Sequence, residues 1–177
     1  MALILPGIAS LEQHLSALLT HPEGYRPKRC PHCGRAGLWC HGCYGRKADR
    51  DRGGTLNPIA IARFRCPGCC RTCSRLPECI PPHRWYLWAV QQWALLALLA
   101  GRSCRALSRE GMPGRHTLGR WMHRWRERFH LHAFALCQHD PGWGRYPGMA
   151  TLWPAVLACM PLSAAMILVQ HVGIAIP

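Results

Sequence analysis

Arg29-Cys30-Pro31-His32-Cys33-Gly34 and Arg63-Phe64-Arg65-Cys66-Pro67-Gly68-Cys69 decide how this chain of 177 residues is read. Each contains a Cys-Pro-x-Cys turn, which aims two thiolates at one point, and two such turns complete a tetrahedral set of four sulfurs. Zinc prefers that donor set, so one zinc ion on Cys30, Cys33, Cys66 and Cys69 is expected. Four thiolates leave no open position for water or substrate, which makes the expected role structural. Possible strands run from Gly37 to Tyr44 and from Ile59 to Arg65, punctuated by Gly and Pro. Two knuckles joined by short antiparallel strands describe a zinc ribbon, placed at residues 26–82.

The same block holds two further C-x-x-C pairs, Cys40 with Cys43 and Cys70 with Cys73. They would supply a second four-sulfur site, or they are small buried side chains, since free cysteine packs as a small hydrophobe. Cys40 follows its knuckle by seven residues and Cys70 follows its own by one, a mismatch that argues against convergence. His32 and His41 are surplus to a four-cysteine site, and Cys79, Cys104, Cys137 and Cys159 are isolated. Twelve cysteines would suit a secreted disulfide scaffold, but Met1 to Pro6 has no basic leader region. Reduced thiols in a cytoplasm are the expectation.

Outward from the ribbon, residues 1–25 read as an N-terminal helical arm. Ile8, Leu11, Leu15, Leu18 and Leu19 recur at helical spacing after Ser10 as cap, and His21-Pro22-Glu23-Gly24 ends the run. On the other side, Trp85 to Ala100 contains no helix breaker and is apolar on most sides. The central Gln91-Gln92 pair, with Arg102 and Arg105 close behind, favours a buried helix over a membrane span. Ser103 caps a helix from Cys104 to about Glu110, Gly111-Met112-Pro113-Gly114 breaks it, and a further helix starts near Arg115. Leu118, Trp121, Met122, Trp125 and Phe129 form its apolar face, opposite a basic stripe of His116, Arg120 and Arg124. Residues 83–136 therefore read as a helix-turn-helix bundle. Residues 137–177 are a Gly/Pro link followed by two short apolar helices interrupted at Pro154 and Pro161, suited to capping the core, to lipid, or to a homodimer or other partner surface. The fold class is α+β and mainly helical: a small ribbon followed by an all-α bundle.

Lys and Arg total 22 against 8 Asp and Glu, a net charge of +14, so a polyanion is the expected partner. In a helix-turn-helix the second helix presents its first turns to base edges in the major groove of double-stranded DNA. Arg115, His116, Thr117 and Arg120 are the candidate readers, and Arg124, Arg126 and Arg128 the candidate phosphate contacts. Arg63, Arg65 and Arg71 would hold phosphates from the ribbon. A bundle with a solvated basic face has the same spacing; charge on the second helix of the pair favours DNA.

These residues carry a resemblance. The two knuckles with the Arg-Phe-Arg lead-in, together with His41-Gly42, Arg46, Arg71-Thr72, Leu76-Pro77 and Pro82-His83-Arg84, resemble the zinc-ribbon head of bacterial insertion-sequence transposases and their small relatives. The likeness extends from about Arg26 to Arg128 and implies a ribbon followed by a helix-turn-helix that recognises DNA. In that family the positions of Cys70 and Cys73 are usually glycine and an aromatic residue. A full transposase also needs clustered carboxylates for two divalent metals. The acids are Glu12, Glu23, Asp49, Asp51, Glu78, Glu110, Glu127 and Asp140, with none beyond, so no nuclease centre is expected. A truncated transposase, an accessory DNA-binding subunit and a regulator all fit. Outside that class stand a ribbon that docks a protein partner and a catalytic fragment completed by another chain.

Overall fold

The computed structural model describes residues 2–49, 54–82, 86–111 and 113–171. It is α+β and mainly helical, and the chain divides into two compact units, Met1–Trp85 and Tyr86–Pro177. The four parts expected from the sequence thus fall into two.

The first unit is built on a sheet of four strands, β1 (Ala2–Leu5), β2 (Trp39–Arg46), β3 (Ile59–Arg65) and β4 (Thr72–Pro77), in the order β1-β4-β3-β2. β2, β3 and β4 are antiparallel, as a ribbon requires, whereas β1 adds to β4 in parallel. β3 alternates across the sheet and separates two small cores. Ala62 and Phe64 pack on one face with Tyr25, Leu38, Cys30, Cys66 and Cys73, and Ile59 and Ile61 on the other with Leu76 and Ile80.

Helix α1 (Leu11–Thr20) starts at Ser10 through a reciprocal box: the Gln13 N–H donates to Ser10 Oγ at 3.2 Å, and the Ser10 N–H to Gln13 Oε1 at 3.3 Å. It ends before Pro22, where a single 3-10 turn (Pro22–Tyr25) follows. The N-terminal helical arm expected over residues 1–25 is tied to the sheet. β1 pairs residue for residue with Ser74–Pro77, and His14 of α1 is fully buried. Its Nε2–H donates to the Ala60 carbonyl at 2.9 Å, which leaves Nδ1 to accept the Tyr25 hydroxyl at 2.6 Å. Burial holds His14 below the ordinary histidine value and pushes Tyr25 up to about 12.

The second unit is helical: α2 (Trp88–Leu99), α3 (Cys104–Arg109), α4 (Arg115–Glu127), α5 (Phe129–His139), α6 (Met149–Cys159) and α7 (Leu162–His171). The glutamines that argued against a membrane span serve the fold. Gln91 is buried and donates to the Tyr86 carbonyl at 2.9 Å, and Gln92 Oε1 accepts the Leu162 N–H at the start of α7 at 2.8 Å. Among the described residues no single helix is long and apolar enough to cross a membrane. α6 and α7 are apolar, bend by 109° at their junction, and bury Leu152, Trp153, Val156, Leu162, Met166 and Val169 inside the unit. The two short apolar helices expected at the C-terminus thus pack into the core of their unit, one of the roles the sequence left open for them. The helix expected to continue to Phe129 stops at Glu127, where Arg128 (φ −98°, ψ 3°) breaks it and α5 begins. The Gly/Pro link is a 3-10 turn, Pro141–Arg145, capped by Asp140 Oδ1, which accepts the Gly142 N–H at 2.8 Å.

Candidate metal centre and basic groove

The two Cys-Pro-x-Cys turns fold alike, bond for bond. The Cys30 N–H donates to the Arg35 carbonyl at 2.8 Å and the Cys66 N–H to the Arg71 carbonyl at 3.0 Å. Four residues past each first cysteine the chain turns back, with Gly34 N–H on Cys30 O at 2.9 Å and Cys70 N–H on Cys66 O at 3.0 Å. Within each turn a backbone N–H points at the leading sulfur, His32 at Cys30 Sγ (3.4 Å) and Gly68 at Cys66 Sγ (3.3 Å). The first turn also reaches over the second: a Cβ on Gly68 would meet Arg35 Cδ at 2.7 Å.

The outcome is a cluster of four sulfurs, Cys30, Cys33, Cys66 and Cys69, all within 4.8 Å of one another. Cys33 and Cys66 approach to 3.5 Å and Cys30 and Cys69 to 3.7 Å. A tetrahedron with metal–sulfur bonds of about 2.3 Å has edges of about 3.8 Å, so the spacing fits one ion. The N–H groups of Cys69 and then Gly68 outweigh desolvation and hold Cys66 down to about 6, favouring its thiolate form. Cys33 is pulled down by the backbone at Arg35, but hydrogen bonds with the other thiols and desolvation outweigh that and push it up to about 11. An ion replaces this shared proton network, because it takes every sulfur as thiolate.

The second set does not assemble. Among the described residues the four-cysteine group is the one cluster of His, Cys, Asp and Glu able to hold a metal, and neither His32 nor His41 belongs to it. Cys40 and Cys73 are both in register with Phe64, from opposite sides of β3. They therefore stand two strand spacings apart, about 10 Å. Cys73 is buried in the core, while Cys40, Cys43 and Cys70 are exposed. Cys70 occupies the position that Gly34 holds in the first knuckle, and both are left-handed, at φ 57° and 74°.

In the second unit, Ser103 Oγ accepts the Ala106 N–H at 3.1 Å and starts α3, and a left-handed Gly111 (φ 77°) lies just after its end. α4 starts from Gly114 and buries Leu118, Trp121, Met122 and Trp125. Arg115, His116, Arg120, Arg124 and Arg126 are exposed, Thr117 is half-buried, and Arg128 lies beyond the helix end, half-buried. The first turns of α4 and the start of α3 enclose an open groove of about 520 Å³ lined by Cys104, Arg105, Arg115, His116, Gly119, Arg120 and His123. Arg105 and His123 were not among the candidates; only the packing of α3 on α4 brings them to the groove. His123 also bonds Glu127 at 3.1 Å, which places one acid at the far end of the basic stripe. Of the ribbon arginines, Arg65 and Arg71 are exposed and Arg63 lies over the Tyr44 ring at 4.8 Å.

A family model described as a domain of unknown function, DUF6431, matches residues 30–121, just over half of the chain. The match begins on the first cysteine of the cluster and ends in the middle of α4. No curated protein and no solved structure matches the chain.

Proposed function

The chain belongs to the DUF6431 family, and from that premise we propose that it is a zinc-dependent, sequence-specific binder of double-stranded DNA, akin to the recognition part of insertion-sequence transposases and without a nuclease centre of its own. Zinc is the ion best matched to four thiolates in closed tetrahedral spacing. Its role is to pin two Gly- and Pro-rich turns that have little core of their own.

The observation that carries the reading is the groove at α3 and α4. Arg115, His116 and Arg120 stand on the first turns of a helix whose opposite face is buried, and Arg105 joins them from the preceding helix. Helix-turn-helix proteins present base-reading side chains in this arrangement, with longer basic residues downstream for phosphates. The described carboxylates are dispersed: Glu12 lies exposed in the first turn of α1 beside Ser10, and the other six have structural partners. Glu23 pairs with Arg26, Glu78 holds the Gly7 N–H, Asp49 holds the Leu56 N–H, Glu110 pairs with Arg102, Glu127 with His123, and Asp140 caps a turn.

The test is duplex binding by fluorescence anisotropy across a salt series. Each phosphate contact contributes about −0.9 to the slope of log K against log salt, so Arg105, Arg115, Arg120 and Arg124 together give about −3.6. Arg120→Gln and Arg124→Gln are each expected to flatten the slope by about 0.9, and Arg145→Gln, outside the groove, to leave it unchanged. Duplex binding that ignores salt, or no duplex binding by folded, metal-loaded protein, overturns the reading. A protein-docking module is the second reading, favoured by Leu131 and Phe134, which are 50% and 55% exposed on α5.

A further inference from the structure

The first unit carries an exposed aromatic and basic surface that the groove on α4 does not use. Trp39, at the start of β2, is 63% exposed, and its register partner on β3 is the exposed Arg65, which pairs in turn with the exposed Thr72 of β4. These three side chains form a row across three strands. Two residues back along β3, on the same face, Arg63 lays its guanidinium over the Tyr44 ring at 4.8 Å, and Tyr44 is in register with Ile61. Trp39 and Tyr44 are thus separated by four residues of β3, about 13 Å, with Arg63 between them. The opposite face of this end of the sheet is fixed by Phe64, Cys30 and Cys66, so the platform rests on the metal cluster. No carboxylate occurs in β2, β3 or β4.

We propose that this face binds single-stranded nucleic acid, with bases stacking on Trp39 and on the Arg63–Tyr44 pair and the phosphates held by Arg65. An exposed indole has little to offer a duplex, whose base faces are already stacked, but it stacks any unpaired base without regard to sequence. Arginine beside aromatic rings supplies backbone neutralisation together with a second planar surface. Charge complementarity selects the occupant: an all-basic surface with two aromatic rings fits a polyanion that carries flat rings. The inference does not rest on the α4 reading, since the two sites lie in different units and ask for different forms of nucleic acid.

The experiment measures binding of the full chain to three fluorescent probes of equal charge: a 20-nucleotide oligothymidylate, an abasic strand of the same length, and a duplex. Oligothymidylate is expected to bind more tightly than the abasic strand. Trp39→Ala should weaken oligothymidylate binding roughly tenfold, the abasic strand little, and Trp39→Phe should restore most of the loss. Arg120→Gln should leave oligothymidylate binding unchanged. Unaltered metal content confirms that the exposed substitution leaves the fold intact. Equal affinity for thymidylate and abasic strands, an unaffected Trp39→Ala, or an Arg120→Gln loss as large as that of Trp39→Ala would each overturn the proposal. Failure of duplex binding alone would remove the α4 reading and leave this one standing.

Discussion

His132 links the acid stability of the helical unit to the helix proposed to read DNA. The side chain is fully buried, edge-on to Trp125 of α4 at 5.4 Å and to Trp153 of α6 at 5.8 Å, and the two indoles meet each other at 4.8 Å. Neither ring nitrogen has a hydrogen-bond partner in the structure. Burial, with a smaller contribution from the Arg128 charge, takes the imidazole from 6.5 down to about 4. A folded-state value below the unfolded one means that the unfolded chain takes up the proton first as pH falls. Stability is therefore complete above about pH 6.5 and is lost progressively towards about pH 4, by 1.36 kcal/mol for each unit of difference. The structure gives a loss of about 2.5 kcal/mol between roughly pH 7.5 and roughly pH 4.5.

Urea unfolding at stepped pH, followed by tryptophan emission, measures that loss. Trp88, Trp93, Trp121, Trp125, Trp143 and Trp153 all lie in the helical unit, so emission reports it above the first unit. His132→Phe keeps an edge-on ring without a titrating nitrogen. Overpacking shifts its absolute stability by about 1–3 kcal/mol, which does not matter, because the slope with pH is the readout. The variant is expected to lose most of the slope between about pH 6.5 and about pH 4.5, and other titrating groups cancel in the comparison. An unchanged slope in His132→Phe would refute the assignment.

Four further substitutions address the metal unit. Cys66→Ser is expected to abolish metal binding and unfold the first unit, since a structural zinc contributes on the order of 10 kcal/mol, whereas Cys40→Ser and Cys43→Ser keep one ion per chain by elemental analysis; two ions per wild-type chain would show that the second set assembles after all. Cys70→Gly removes a side chain from a left-handed position and is expected to raise the unfolding free energy of this unit by about 1 kcal/mol with metal content unchanged; a lower denaturant midpoint would show that the thiol has a use.

What could be read in the sequence was what is specified locally. The knuckles carry their own turn chemistry, and Ser10, Ser103 and the Gly111–Gly114 break mark helix ends within a few residues of where they fall. β3 was placed at its observed bounds because Pro58 and the second knuckle punctuate it on either side. β1 and β4 escaped because four and six residues are too few to show a period, and their parallel pairing joins segments far apart in sequence. α5 escaped for a different reason. The break at Arg128 carries neither Gly nor Pro, and the helix then exposes Leu131 and Phe134 while burying His132, so its hydrophobic pattern points away from its actual core face. The groove needed tertiary structure, since Arg105 meets Arg115 and Arg120 only through the packing of α3 on α4.

That same packing bears on what the matched stretch can do alone. Residues 30–121 enclose all four cysteines of the cluster and the exposed first turns of α4. They do not enclose what holds α4 in place. Trp121 meets Tyr86 edge-on at 5.4 Å within the match, but the second half of α4 lies outside it, where Trp125 meets His132 and Trp153. A helix of this length is marginal in water by its own propensity and depends on its buried face. The matched stretch therefore contains the cysteine cluster and the first turns of α4, while His123, Arg124 and the α5 and α6 residues that pack on α4 lie outside it. The metal unit works the other way: its four ligands are all inside the match, and its core borrows Tyr25 and Leu5 from the segment before. Each surface thus rests in part on residues beyond the matched stretch.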